Sequence, residues 1–454
     1  MKKLFSILLV LVAVVTLTGC SNSDLESQID TLEADLIALQ AQYDALVSDY
    51  EDRGVSLNQE VETNELLEEQ ITALEEQIEA LQELVFDNVI TITLSDSYGM
   101  FSSKTVGFND DFEGSLFDLL EAHFEVGYYD TEYGKMITSL DYVETQYGNY
   151  IAFYKNGEAS FVGVEAADFN NDDVFHFELA WWDPFAQELY EAIQLFVENQ
   201  VDVLVTEDSI NYNVVLGLDM LGVLEEYVSQ EDVLNYIDFT VMTNWNDYVK
   251  AAYLLDSVGV DNTPAITYLN DSLNTVPEFG YSSALSVLLK YGTSVSNFSS
   301  FETTVLDYYT INTPYDLGVD SGGMALIALS NYDTTLVDAY IQWISDDQLL
   351  SGGFQTRDSV WGEVTYPGTE NASSMSQIIL ALVANGVDPT GVDYTKEGNN
   401  LVTRLMEFQN EDGSFDYLYG DETSDLMFST PQAFVALVVY QEYLNNGGNE
   451  VNPY

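Results

Sequence analysis

Basic residues are scarce in this 454-residue chain. It has 11 Lys or Arg against 77 Asp or Glu, with two His and one Cys. A net charge of −66 repels phosphate backbones and anionic surfaces, which excludes nucleic acid as a partner. One cysteine excludes an internal disulfide and any Cys-rich zinc site. What is present is apolar: 46% of residues are hydrophobic and 13% aromatic, ample for large cores and too many for a disordered chain. The length predicts two or three domains.

The cysteine has a use. Lys2 and Lys3 precede an apolar run from Leu4 to Leu17, too short for a comfortable span and shaped like a signal peptide. The run ends in Leu17-Thr18-Gly19-Cys20, which resembles the bacterial lipoprotein lipobox. The resemblance implies that residues 1–19 are a leader cut before Cys20, and that Cys20 is lipidated with two acyl chains, enough to anchor the protein outside the cytoplasm at the cell membrane.

From Asn22 to about Asp87 the pattern is a stalk. Leu25, Leu32, Leu39 and Leu46 alternate with Ile29, Leu36, Tyr43 and Tyr50 in four-three steps, and the register resumes from Leu57 through Val85 after a break at Arg53-Gly54. A 3.5-residue apolar period kept for this long predicts a coiled coil over residues 20–87. Asn64 in the seam suits a parallel homodimer, whereas a fold-back at Gly54 would give a helical hairpin; both remain open.

At Val89 the period changes to two. Val89–Leu94 and Val174–Leu179 alternate as strands, Ser115–Phe124 reads as a helix, and Tyr150–Lys155 runs into Asn156-Gly157, a strong hairpin signal. Residues 88–182 are therefore expected to form a small β-rich domain with one helix, β-grasp-like. The strings Gly134–Leu140, Asn149–Gly157, Gly163-Val164 and Asn171–Val174 come in the order of the transcobalamin-like C-terminal domain, which this segment resembles. Tyr150, where that family has Trp, and Asp172, where it has Gly, are departures from its pattern.

Residues 183–454 carry helical periodicity and repeat. Ser376–Val383 recurs as Pro431–Val438, with an earlier version at Asp320–Leu329, and Gln348–Phe354 recurs as Gln409–Phe415. Trp245–Val258 and Ser282–Leu289 look like weaker copies. Helix pairs at such spacing predict a stacked or closed array. They resemble the prenyltransferase and squalene-cyclase α/α toroid, in which Gln-x-x-x-Gly-x-aromatic turns cap outer helices. The fold class expected for the whole chain is multidomain α+β: stalk, β domain, toroid.

Chemistry known on toroids is missing its residues here. The stretch 185–454 contains no Cys and no His, so the Asp-Cys-His zinc site of the protein prenyltransferases, thioester chemistry and Ser-His and Cys-His catalysis all lack residues they need. The Asp-x-Asp-Asp string of the cyclases is absent from it. Paired carboxylates mean nothing in so acidic a chain. The expectation is a binding protein, with no enzyme activity, no catalytic cofactor and no metal. Asp168-x-Asn170-x-Asp172 begins like a calcium loop, but Asp173 and Leu179 stand where Gly and Glu are needed, so it reads as a turn. His176 shares a polar strand face with Glu178, where it is solvated or meets a partner domain, and His123 ends a helix stripe.

A β domain joined to an α/α toroid resembles the cobalamin carriers transcobalamin and intrinsic factor, which implies a corrinoid gripped between the two domains and delivered to a membrane importer. A corrin ring needs aromatic faces and neutral donors and acceptors for its amide rim. The candidate contacts are Asp320, Ser321, Ser376, Gln377, Thr430 and Gln432 at the starts of repeated helices, with Tyr150 and Tyr154 from the β domain. Helix capping or inter-helix bonding is the alternative role for Gln377 and Gln432. The alternative function is a surface adhesin or cell-wall scaffold that binds protein or glycan.

Overall fold

The computed structural model describes residues 86–454, apart from 96–100, 133, 207–208, 313, 333, 362–363 and 421–423. The leader, Cys20 and the stalk lie outside the described residues.

Strands β1 (Asn88–Ser95), β2 (Phe101–Phe108), β6 (Asn149–Lys155), β7 (Glu158–Ala159) and β8 (Val174–Trp181) form a sheet in the order β2-β1-β8-β6-β7. The first and last long strands, β1 and β8, lie side by side and parallel; the other pairs are antiparallel. Alternation decides the faces. Ile90, Ile92, Leu94, Phe175 and Phe177 are buried on one face, under helix α1 (Leu116–His123) and a second sheet of β3 (Val126–Thr131), β4 (Gly134–Leu140) and β5 (Val143–Glu144). Ser115 caps α1 in a reciprocal box with Asp118, which holds that carboxyl below its ordinary pKa. Asn156 and Gly157 both adopt positive φ, at 53° and 80°, as a two-residue hairpin requires. The Asp168–Asp173 segment is a turn tied to that hairpin: the Asp173 carboxylate accepts from Asn156 Nδ2 at 2.7 Å and lies 2.9 Å from Lys155 Nζ.

From Pro184 the chain is almost wholly helical, with its own separate core. Outer helices α2 (Pro184–Leu204), α4 (Gln230–Tyr236), α6 (Thr263–Ser272), α8 (Phe298–Ile311), α10 (Thr334–Asp347) and α12 (Leu401–Met406) alternate with inner helices α3 (Tyr212–Met220), α5 (Trp245–Ser257), α7 (Tyr281–Tyr291), α9 (Val319–Leu329), α11 (Ala372–Val383) and α13 (Ser429–Asn445). Each inner helix packs on the next, and α13 packs on α3, so the six close into a ring. This is an α/α toroid of six helix pairs. The two weaker sequence copies are its inner helices α5 and α7. Inner helices are buried nearly all round: α11 has every residue buried except Ser373. Bonds between neighbours join matching ends, Ser374 to Asp320 and Ser373 to Ser429 near the helix starts, and Asn385 Nδ2 to the Leu326 carbonyl near the finishes, so α9, α11 and α13 run parallel.

The repeated glutamines stitch the outer layer. Gln348 Nε2 donates to the Gly352 carbonyl at 2.7 Å and to the Tyr394 carbonyl of the following repeat at 2.8 Å. Gln409 donates to Gly413 at 3.3 Å and to Ala192 of α2 at 2.8 Å, joining the last outer helix to the first. Gln200 returns the tie to the Asp412 carbonyl at 2.7 Å. Replacing Gln409 by Ala should lower unfolding free energy by about 2 kcal/mol in chemical denaturation, because the carbonyls at Gly413 and Ala192 both lose a partly buried donor.

Candidate functional site

A ring of parallel helices has two unlike mouths. At the C-terminal mouth the loop Gln146–Gly148 of the β domain leans on α13: Gln441 Nε2 donates to Gln146 Oε1 at 2.7 Å, and the Tyr147 N–H to Asn445 Oδ1 at 2.9 Å. Residues Glu450–Tyr454 cross the same end. The Val451 N–H donates to the Val383 carbonyl, and the Tyr454 ring sits 5.7 Å from Tyr253 inside the ring. They wall a cavity of about 470 Å³ with Lys290, Ile327 and Ala384. Burial raises the phenol pKa of both Tyr253 and Tyr454.

The N-terminal mouth carries a second cavity, of about 510 Å³, between the starts of α7 and α9. Pro277, Phe279, Tyr308, Tyr309 and Leu317 give its apolar wall, Ser282 and Ser321 its hydroxyls, and Glu278 and Asp316 its acids. Phe279 is 69% exposed, its ring edge-on to Trp245. Burial lifts the Tyr309 phenol pKa despite its bond with Ser282, and burial together with Glu278 lifts that of Tyr308. Both phenols therefore stay neutral through neutral pH. Near the start of α13, Met427 and Phe428 are exposed as well. Asp425 caps that helix, accepting from the N–H groups of Met427, Phe428 and Ser429.

The eight sequence candidates separate in this setting. Ser321 lines the N-terminal cavity. Asp320 is exposed beside it, with one carboxylate oxygen taking the Ser374 hydroxyl at 2.7 Å. Gln432 is half-buried, and its Oε1 is enclosed with no hydrogen-bond partner among the described residues. Gln377 is buried against Gly323, where a Cβ would come within 3.3 Å of it, so it serves close helix packing.

Two expectations are corrected. Ser376 is fully buried and gives its hydroxyl to the Ala372 carbonyl at 2.8 Å, four residues back on its own helix. Thr430 is fully buried and holds Phe415 in both directions, accepting at 2.9 Å and donating at 3.2 Å. Neither hydroxyl faces a mouth.

Tyr150 and Tyr154 lie on the open face of the β sheet, in a domain attached at the other end of the ring. From Gln432 to Asn445 along α13 is roughly 20 Å at 1.5 Å per residue. A site gripping one ligand between these tyrosines and the helix starts is therefore not formed. The residues that sequence reasoning missed, Phe279, Tyr308 and Tyr309, lie outside the recognisable repeats. Pro277 before Phe279 was the available signal, marking a loop at a helix start.

Among the described residues no group of three or more His, Cys, Asp or Glu is placed to hold a metal ion, and no helix is long and apolar enough to cross a membrane.

No protein-family model and no curated protein matches the sequence. Among solved structures the chain is similar to the type II terpene cyclase MstE from Scytonema, at 11% identity and TM-score 0.38 over 57% of this chain and 99% of that one. It is similar to a glycosyl hydrolase family 88 protein from Bacteroides vulgatus, at 12% identity and TM-score 0.38 over 56% and 97% of the two chains. A protein of Ruminococcus gnavus ATCC 29149 proposed to bind metal matches at 23% identity and TM-score 0.19, covering 21% of this chain and all of that one.

Proposed function

We propose that this chain is a membrane-anchored surface protein that captures a corrinoid, a cobalamin-type ligand, at the N-terminal mouth of its toroid and passes it to a membrane importer. The observation that carries the reading is the 510 Å³ cavity, which falls within the size range of small-molecule sites and combines aromatic faces with neutral hydroxyls. A corrin ring would lie against Phe279 and Tyr308. Its amide rim would meet Ser321, with the bonded Ser282–Tyr309 pair behind it.

Parallel β1 and β8 side by side under a single helix support a β-grasp-like, transcobalamin-like reading of the first domain. Lipidation at Cys20 and a coiled-coil stalk are parts of the same proposal, as is binding without catalysis. The β domain would then position the toroid rather than close over its ligand, since it docks at the opposite mouth.

Phe279→Ala should weaken cobinamide binding about tenfold in a spectroscopic titration, because an exposed ring contributes on the order of 1–1.5 kcal/mol in stacking. Its melting temperature should stay unchanged. Wild-type affinity in this variant would remove the N-terminal mouth as the site.

A further inference from the structure

We propose that the open face of the β-domain sheet is a second binding site, for a neutral glycan. The residues that point away from the core fall into cross-strand rows, Ser103–Thr93–His176–Tyr154 and Phe101–Ser95–Glu178–Ala152, with Tyr150 opposite Ala180 beyond them. A face that meets only water needs no large rings. Here Phe101 is 64% exposed, Tyr150 is 45% exposed and Tyr154 is half-buried.

The polar groups between those rings are fixed in place. His176 Nδ1 lies 2.9 Å from Thr93 Oγ1, and Nε2 lies 3.2 Å from Ser95 Oγ and 3.4 Å from the Glu178 carboxylate. The imidazole has Phe101 on one side at 6.4 Å and Tyr154 on the other at 6.1 Å. Glu178 beside the Tyr154 hydroxyl raises that phenol's pKa. Rings flanking a line of oriented hydroxyl, imidazole and carboxylate groups can take the C–H face of a sugar on the aromatics and its hydroxyls on the polar row.

Charge selects among glycans. These rows contain one acid, Glu178, and no Lys or Arg; Lys104 of β2 turns to the other face, over Phe124. An anionic polysaccharide would meet no cation here and a chain of net charge −66. Phe101 and Tyr150 stand three strand spacings and two residues apart, roughly 16 Å, a distance suited to an oligosaccharide rather than a single sugar.

Affinity electrophoresis of the full chain through gels containing β-glucan, xylan, mannan or pullulan, with alginate as the anionic control, tests this. Retardation by at least one neutral polysaccharide is expected. It should weaken about five- to tenfold in Phe101→Ala and in Tyr150→Ala, with melting temperature and cobinamide affinity unchanged, since both rings are exposed and remote from the toroid mouth. Retardation by none of the neutral polymers, retardation by alginate alone, or equal retardation of wild type and both variants would overturn the proposal.

Discussion

Arg404→Ala should cost roughly 3 kcal/mol of stability at neutral pH, measured by urea unfolding. The guanidinium forks onto Glu370, with Nε 2.9 Å from Oε1 and Nη2 2.9 Å from Oε2, and the two side chains keep only 13% and 19% of their surface. Arg404 also reaches Glu407 and stacks on Tyr419 at 4.3 Å, while Ser351 donates to Glu370 at 2.7 Å. The cluster ties α12 to the turn that follows α10. Removing the cation leaves a largely buried carboxylate without its partner, and the low end of the range for breaking a buried pair applies because some solvent still reaches it.

The pH dependence has a definite sign. Burial alone would raise the Glu370 pKa, but the bonds from Arg404 and Ser351 outweigh it and hold the group below its ordinary 4.5. The pair therefore contributes fully above that value, and its contribution is lost as pH falls through the folded pKa. In the variant burial acts unopposed by Arg404, so protonation relieves it. The gap between wild type and variant should be widest at neutral pH and shrink in acid. A gap that grows in acid would contradict this account.

Phe434→Ala should be more damaging still, about 4 kcal/mol. The ring is fully buried and stacks on Phe196 at 3.9 Å and 7°, and a Cβ on Gly217 would fall 2.4 Å from it. These three residues belong to α13, α2 and α3, the last helix of the ring and the first two. The lost ring leaves a cavity at the seam where the toroid closes. Hydrogen exchange should show α2 and α3 losing more protection than α9, on the far side of the ring. Uniform loss over all inner helices would mean that closure has no local weak point.

The sequence reveals structure where burial is one-sided. β1 and β8 alternate because only one sheet face is covered, and the strands extend one or two residues beyond the apolar run because hydrogen bonding continues past it. The toroid is legible through Gln348 and Gln409, whose bonds to the next repeat force their recurrence. Site residues are harder to read. Inner helices are buried nearly all round, so their starts show no apolar stripe from which to tell an open-facing hydroxyl from Ser376 or Thr430. Domain placement leaves no local pattern at all. Nothing between Trp181 and Pro184 says at which mouth the β domain docks; that depends on contacts hundreds of residues apart, Tyr147 with Asn445 and Gln146 with Gln441.

The most direct measurement is a titration of the full chain with cobinamide and cobalamin, followed in the visible corrin bands. Capture at the N-terminal mouth predicts saturable binding tighter than roughly micromolar, about −8 kcal/mol. That binding should weaken in Phe279→Ala and be unaffected by Tyr150→Ala. Absence of saturable binding in that range, or loss on Tyr150→Ala with Phe279→Ala unaffected, would contradict it.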